Sequence, residues 1–236
     1  MKKIAVYTCI INPNEPFGKL ENYDSLKKLN FLEEGVDYFC FSNNPKLKSD
    51  QYNIVHIDIE DNATRTSRIP KIKPHLYFEN YDYSIYIDGS TTILRPIRGL
   101  VEKFLGDSSF AMRHHDKRSC VYEEGKKIIE MYETNPKDTP ESVNGHLDFY
   151  KSINFPENFG LFATGVLIRN HNDPRVIKCM NSWWDMYSKG SIRDQLSLPY
   201  SFWKNDFDPE ILPQKIFDQY FRHSRHRIKY GKIRDV

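Results

Sequence analysis

Apolar residues run almost unbroken through residues 3–11, KIAVYTCII, which predicts a strand buried on both faces of a parallel sheet. A polar loop with Asn12, Pro13, Asn14 and Pro16 follows. Residues 37–42, DYFCFS, predict a second strand that Asn43-Asn44-Pro45 ends, and residues 52–59 predict a third. Between the first two, residues 25–34 read as a short helix. Residues 68–80 carry Leu76-Tyr77-Phe78 behind Pro74, which predicts a helix begun near that proline. A fourth strand over residues 84–88 ends on Asp88-Gly89-Ser90. Further on, residues 110–113 and 160–169 read as strands, and residues 120–133 and 173–187 as helices, the latter amphipathic with Trp183 and Trp184. Residues 135–158, rich in Pro, Asn, Asp and Glu, read as a loop or insertion. The early alternation of strand and helix predicts an α/β fold with crossover connections. No internal repeat or interdomain linker interrupts it, so residues 1–236 read as one domain.

The composition narrows the class. A chain of 236 residues can bury a full core, and 15 Tyr with 15 Phe argue for a packed globule. A formal charge of +2 gives no whole-surface attraction to nucleic acid, so no nucleic-acid partner is expected. Positive charge concentrates in a basic tail over residues 222–236, where Arg222, Arg225, Arg227, Lys229, Lys232 and Arg234 stand with His223 and His226. That tail is either a solvated end or an anion-binding segment, a lid over a phosphate or a rest on an anionic membrane. Cys9, Cys40, Cys120 and Cys179 lie far apart, which is neither a disulfide framework nor a zinc pattern. The first apolar run contains Tyr7 and Thr8 and lacks a small-residue cleavage site, so it reads as a strand rather than a signal peptide. No stretch approaches the ~18 apolar residues of a membrane span. The expectation is a cytoplasmic protein, peripheral at the membrane if the tail binds there.

Four segments can carry chemistry. Ligands of open α/β sheets bind outside the carboxyl ends of strands, where Asp88 is expected. A carboxylate there can hold Mg²⁺ or Mn²⁺ against two phosphates, Gly89 admits close backbone approach, and Ser90 can bind phosphate or a metal-bound water. A turn would use the same Asp and Gly for their backbone preferences. Upstream, residues 65–75 hold Arg65, Arg68, Lys71, Lys73 and His75, a solvated loop or a cradle for an anionic ligand. Residues 113–118, RHHDKR, follow a strand and read either as an active-site loop in which one histidine, His114, contacts substrate, or as a loop carrying a satisfied surface histidine. Finally, Phe162-Ala163-Thr164-Gly165 places small residues where a sugar could slide against backbone, and Asp194 stands where a helix is expected to begin. Asp194 is a helix cap in one reading, and a general base or hydroxyl-orienting carboxylate in the other.

Taken in order, these pieces resemble a GT-A glycosyltransferase. The segments SRIPKIKPHLYF…YDYSIYIDGS, GLFATGVLIRNH and IRDQLSLPY are similar to a glycosyltransferase-like family found in plant Golgi proteins and in bacterial surface-polysaccharide loci. The resemblance implies a single GT-A-like (Rossmann-like) domain, with a mixed, mainly parallel central sheet flanked by helices. It implies transfer of a sugar from a nucleotide-sugar, most simply a UDP-sugar, to a glycan or lipid-linked acceptor. On this resemblance Tyr7 and Thr8 lie near the base, and Ser42 and Asn43 end the second strand beside it. Arg65, Arg68 and Lys71 face the diphosphate or donor sugar, with Thr164 and Gly165 in the small-residue strand. Asp88 and Ser90 replace an Asp-x-Asp pair around Mn²⁺ or Mg²⁺, and His223 or His226 completes the metal shell. Asp194, accompanied by Gln195, meets the acceptor or the donor sugar, and is the candidate base if the anomeric centre inverts. Ser90 departs from the pattern, because a second carboxylate normally stands there. Arg and Lys side chains then share or replace the metal's role at the leaving diphosphate. Two other readings fit parts of the same residues: a non-catalytic nucleotide-sugar-binding protein, and a phosphohydrolase with Asp88 as nucleophile.

Overall fold

All seven residues of the first strand, β1 (Ile4–Ile10), are buried, and their side chains alternate between two cores. Ile4, Val6 and Ile10 join one cluster, whereas Ala5, Tyr7 and Cys9 join another on the opposite face. A computed structural model describes residues 1–11, 26–60, 62–105, 108–134 and 136–223. Beside β1 stand β2 (Val36–Ser42), β3 (Asn53–His56) and β4 (Tyr83–Ile87), all parallel to one another. A short strand, β5 (Thr91–Ile93), leaves the sheet after the Asp88 turn. The central sheet continues through β6 (Phe110–His114), β7 (Phe162–Arg169) and β8 (Glu210–Ile211) in the order β3-β2-β1-β4-β7-β6-β8. β7 runs antiparallel to both neighbours, so the sheet is mixed but mainly parallel, as expected. β9 (Phe221–His223) pairs antiparallel with β5 in a separate two-stranded sheet.

Helices cover both faces. α1 (Ala63–Ile72), α5 (Pro174–Lys189) and α6 (Asp194–Asn205) pack with Tyr7, Tyr86 and Trp183 on one side. α2 (Arg98–Phe104) and α7 (Gln214–Tyr220) close the other side through Leu100, Val101 and Phe217. α3 (Val121–Glu130) and α4 (Pro140–Ser152) form a satellite core with Leu161 and Leu196. Among the described residues no helix is long and apolar enough to cross a membrane.

Three expectations change. The helix over residues 25–34 does not form in its described part, 26–34. There the Leu29 N–H and carbonyl pair with the Gln51 amide, at 2.9 and 3.0 Å, and Tyr52 donates to the Lys27 carbonyl, so side chains replace helical hydrogen bonds. The helix expected near Pro74 instead begins after Asn62, whose side chain accepts the Arg65 N–H at 2.8 Å, and Pro74 opens only a 3₁₀ turn. Within the stretch 135–158, residues 140–152 form a helix rather than a loop: Thr139 caps α4, Pro140 follows at the first turn, and Val143, Leu147 and Tyr150 recur at helical spacing toward the core. Its polar composition hid that period. Of the basic tail, Arg222 and His223 lie in β9, and residues 224–236, His226 included, fall outside the described residues.

Candidate active site

Asp88 is the first residue past β4, at the carboxyl ends of the parallel strands. Its N–H donates to the Gly165 carbonyl at 2.8 Å, and its own carbonyl accepts the Thr91 N–H at 2.8 Å. The Asp-Gly-Ser segment is therefore both a turn and a place where a carboxylate is held. Tyr86, two residues earlier on the same strand face, donates its hydroxyl to Asp88 Oδ1 at 2.8 Å. From the last turn of α1, Lys71 brings an ammonium that is 1% exposed. It lies 2.6 Å from Asp194 Oδ2, 3.6 Å from Asp88 Oδ1 and 4.8 Å from the centre of the Tyr86 ring. Arg68, one turn earlier, sets Nε 3.0 Å from Asp194 Oδ2, and Thr164 donates to Asp194 Oδ1 at 3.2 Å. Two carboxylates and two cations thus form one balanced chain, Asp88–Lys71–Asp194–Arg68. Lys71 and Asp194 form its buried floor, while the side chains of Asp88 and Arg68, 33% and 26% exposed, face outward.

The helix geometry explains which cations take part. Steps of three residues fall about 60° short of a full turn, so Arg65, Arg68 and Lys71 fan around α1 rather than stacking. Arg65 consequently points at the carboxyl end of α5, donating to the carbonyls of Tyr187, Ser188 and Gly190. Asp194 is the first helical residue of α6, and its carboxylate caps nothing there, being turned to Thr164, Lys71 and Arg68. Burial opposes its ionisation, but the charges of Lys71 and Arg68 outweigh burial and hold its pKa down at about 2. Burial likewise works against the Arg68 charge, and Asp194 reverses it, leaving the guanidinium pKa raised. Lys71 and Arg68 thus keep the Asp194 carboxylate ionised and fix its orientation.

The remaining expected residues are scattered around this chain. Gly165 faces Asp88 closely: a Cβ there would lie 3.1 Å from Asp88 Oδ2. Buried Ser90 and Thr91 set their hydroxyls 3.3 and 3.4 Å from His223 Nδ1, which joins β9 to the Asp88 turn. Gly89 is buried within that turn, and Gln195 follows Asp194 in α6, half-buried. His114 is exposed at the end of β6, stacked on Phe162 with ring centres 5.5 Å apart. Thr8 and Ser42 are buried near the same strand ends, Ser42 accepting the Asn44 N–H. Tyr7 is wholly buried; it takes a hydrogen bond from Arg169 and packs on Tyr86 and Phe78, so it is a core residue rather than a base-contacting one. Among the described residues no three His, Cys, Asp or Glu side chains converge as metal ligands. His223 meets the Asp88 turn through the Ser90 and Thr91 hydroxyls, and a hard cation beside Asp88 would need phosphate oxygens and water to complete its shell. Sequence reasoning missed Tyr86 and Arg169. The signal for Tyr86 was available, because positions two apart on a strand share a face.

Comparison with known proteins adds the lineage. The family model described as TOD1/MUCI70, glycosyltransferase-like domain, matches residues 51–226. A protein of Arabidopsis thaliana, probable hexosyltransferase MUCI70, is 26% identical over 157 residues, covering 61% of this chain and 26% of that protein. The chain therefore spans about a quarter of the length of this curated relative. Two solved structures are similar. The bifunctional glycosyltransferase WbbM in its apo form has a TM-score of 0.49 and 12% identity, over 90% of this chain and 38% of that one. Mouse xyloside xylosyltransferase 1, also apo, has a TM-score of 0.47 and 15% identity, over 89% and 84%.

Proposed function

This chain belongs to the TOD1/MUCI70 glycosyltransferase-like family, and from that premise we propose that it transfers a sugar from a nucleotide-sugar, a UDP-sugar, to a hydroxyl of a glycan or lipid-linked acceptor. The observation that carries this reading is the buried Lys71 ammonium held between Asp88 and Asp194 at the carboxyl ends of the parallel strands. As the glycosidic bond of such a donor breaks, negative charge grows on the departing diphosphate, and fixed positive charge at that point lowers the barrier. Lys71 and Arg68 supply it from α1, already ordered by Asp194, so little reorganisation is needed when the bond breaks. Thr164 orients Asp194, and Asp194 orients both cations. Its part is positioning and the acceptance of hydrogen bonds from sugar hydroxyls. Asp88 and His223 would hold Mn²⁺ or Mg²⁺, which would neutralise the two phosphates further. With Ser90 in place of a second carboxylate, Arg68 and Lys71 carry a larger share of that neutralisation.

The test is release of UDP from a panel of UDP-sugars, with and without Mn²⁺, alongside the rise in Tm that each nucleotide produces. At least one UDP-sugar is expected to stabilise the protein and to be slowly hydrolysed. Lys71→Met should lower hydrolysis by roughly 100-fold, the scale of losing one charge-stabilising group. Failure of every UDP-sugar to stabilise the protein, or an unchanged rate in Lys71→Met, would remove the cluster from donor chemistry.

A further inference from the structure

A second recess lies outside the cluster. α4, α5 and α6 enclose a groove of about 610 Å³, lined by Glu141, Ser142, Gly145 and Phe149 from α4, by Asp185 and Lys189 from α5, and by Tyr200 and Lys204 from α6. That volume is in the range of small-ligand sites. On each helix the lining positions, single or in adjacent pairs, recur every three or four residues, so each helix contributes one continuous stripe. Phe149 is 39% exposed and meets Tyr200 edge-on at 5.8 Å, while Tyr200 stacks on buried Tyr150 at 5.8 Å. Hydrogen bonds fix this floor: His146 Nε2 and the Tyr150 hydroxyl are 2.8 Å apart, that hydroxyl reaches the Leu196 carbonyl at 2.7 Å, and the Ser191 N–H donates to His146 Nδ1 at 3.2 Å.

Gly145 gives the groove its depth, and the fold does not need a glycine there. A Cβ added at that position would meet nothing within 4 Å. Glycine inside a helix is the poorest choice after proline, so packing does not account for it and open space does. The polar lining cancels in charge, with the carboxylates of Glu141 and Asp185 against the ammonium groups of Lys189 and Lys204. A strongly charged ligand finds no net attraction. Carboxylates and ammonium groups around the exposed Phe149 ring and the half-buried Tyr200 ring suit a neutral molecule with many hydroxyls and an apolar face.

We infer that this groove binds a neutral saccharide, a segment of the glycan acceptor. That the saccharide is an acceptor rests on the transferase reading; that the groove takes a saccharide rests on its own lining. Position agrees, since the groove wall at Gly190 leads within four residues to Asp194, and Tyr200 stands about 9 Å along α6 from it.

The experiment titrates neutral gluco-, galacto- and xylo-oligosaccharides of roughly three to six units, the size a recess in the small-ligand range admits, into the full chain, followed by saturation-transfer NMR. At least one should bind, and Gly145→Leu, which fills the groove, should weaken it tenfold or more. Phe149→Ala should weaken the same saccharide. Gly145→Ala controls for folding and should raise Tm. The inference is overturned if no saccharide binds, or if Gly145→Leu binds as the unaltered chain does. UDP-sugar hydrolysis by the unaltered chain separates the two readings. Hydrolysis without saccharide binding removes the groove alone, and saccharide binding without hydrolysis removes the transferase reading alone.

Discussion

Thr164 holds one oxygen of Asp194 while Lys71 and Arg68 converge on the other, so this carboxylate spends its charge inside the protein. At a pKa of about 2 it stays ionised through the physiological range. Asp88 differs, since Tyr86 takes one of its oxygens and Gly165 leaves room for the other. The Gly165 position gives a test at single-atom scale. Alanine there would place Cβ 3.1 Å from Asp88 Oδ2, and the end of the side chain must shift by a few tenths of an ångström. We expect Gly165→Ala to change stability by less than about 1 kcal/mol, because a flexible carboxylate gives way easily. UDP-sugar hydrolysis should nevertheless fall about tenfold, because displacements of this order at reacting groups cost rate rather than fold. Equal rates would show that Asp88 works without a fixed position. Asp88 and Asp194 were legible as single residues, one at a strand end and one at a helix start. Their link through Lys71 was not, because it joins residues 17 and 123 positions apart in the chain.

α1 is fastened at both ends. At its start the Asn62 side chain accepts the Arg65 N–H. At its finish Arg169 donates to the Lys71 carbonyl at 2.8 Å and to the Tyr7 hydroxyl, and lies 5.6 Å from the Phe110 ring. Arg169 is fully buried. The negative end of the helix dipole and the ring face supply its compensation in these contacts. Arg65 does the same for α5. A run of cations in a sequence reads naturally as a phosphate cradle, and here one of three on α1 serves a neighbouring helix instead. Sequence alone does not separate these uses, because helix-end carbonyls attract cations much as anions do. The two ends predict different outcomes. Asn62→Ala should cost about 1 kcal/mol in urea unfolding, as lost caps do, and leave donor hydrolysis within about threefold. Arg169→Met should lower hydrolysis more than tenfold, since it frees the backbone that carries Lys71. A larger loss of activity in Asn62→Ala than in Arg169→Met would mean that the amino end of α1 sets the site.

Across the whole molecule, the central strands β1 and β4 were legible because their apolar runs are buried on both faces, and the α4 packing was not, because its apolar positions are diluted by polar ones. The same burial sets the response to acid. Burial lowers the pKa of His146 and of His171 to about 4, and lowers those of His75 and His115 less. His146 ties α4 to the loop before α6, and His171 bonds the Phe78 carbonyl at 2.7 Å, so the two anchor separate parts of the fold. Both folded values lie below the ordinary histidine value near 6.5, so the unfolded chain binds more protons between pH 6.5 and 4. Stability must therefore fall as pH drops through that window. At pH 5 the loss is about 2 kcal/mol for each of these two histidines, a large share of the ~5–15 kcal/mol that holds a typical domain. Asp194, whose folded pKa of about 2 lies below its ordinary value, adds a further loss only below about pH 4. Urea midpoints measured from pH 7.5 to 5 should decline steadily, well before the carboxylates titrate. In a His146→Gln, His171→Gln double variant the decline should be shallower whatever the absolute stability at pH 7.5, because the slope counts protons and not contacts. An unchanged slope in that variant would place the acid sensitivity outside both histidines.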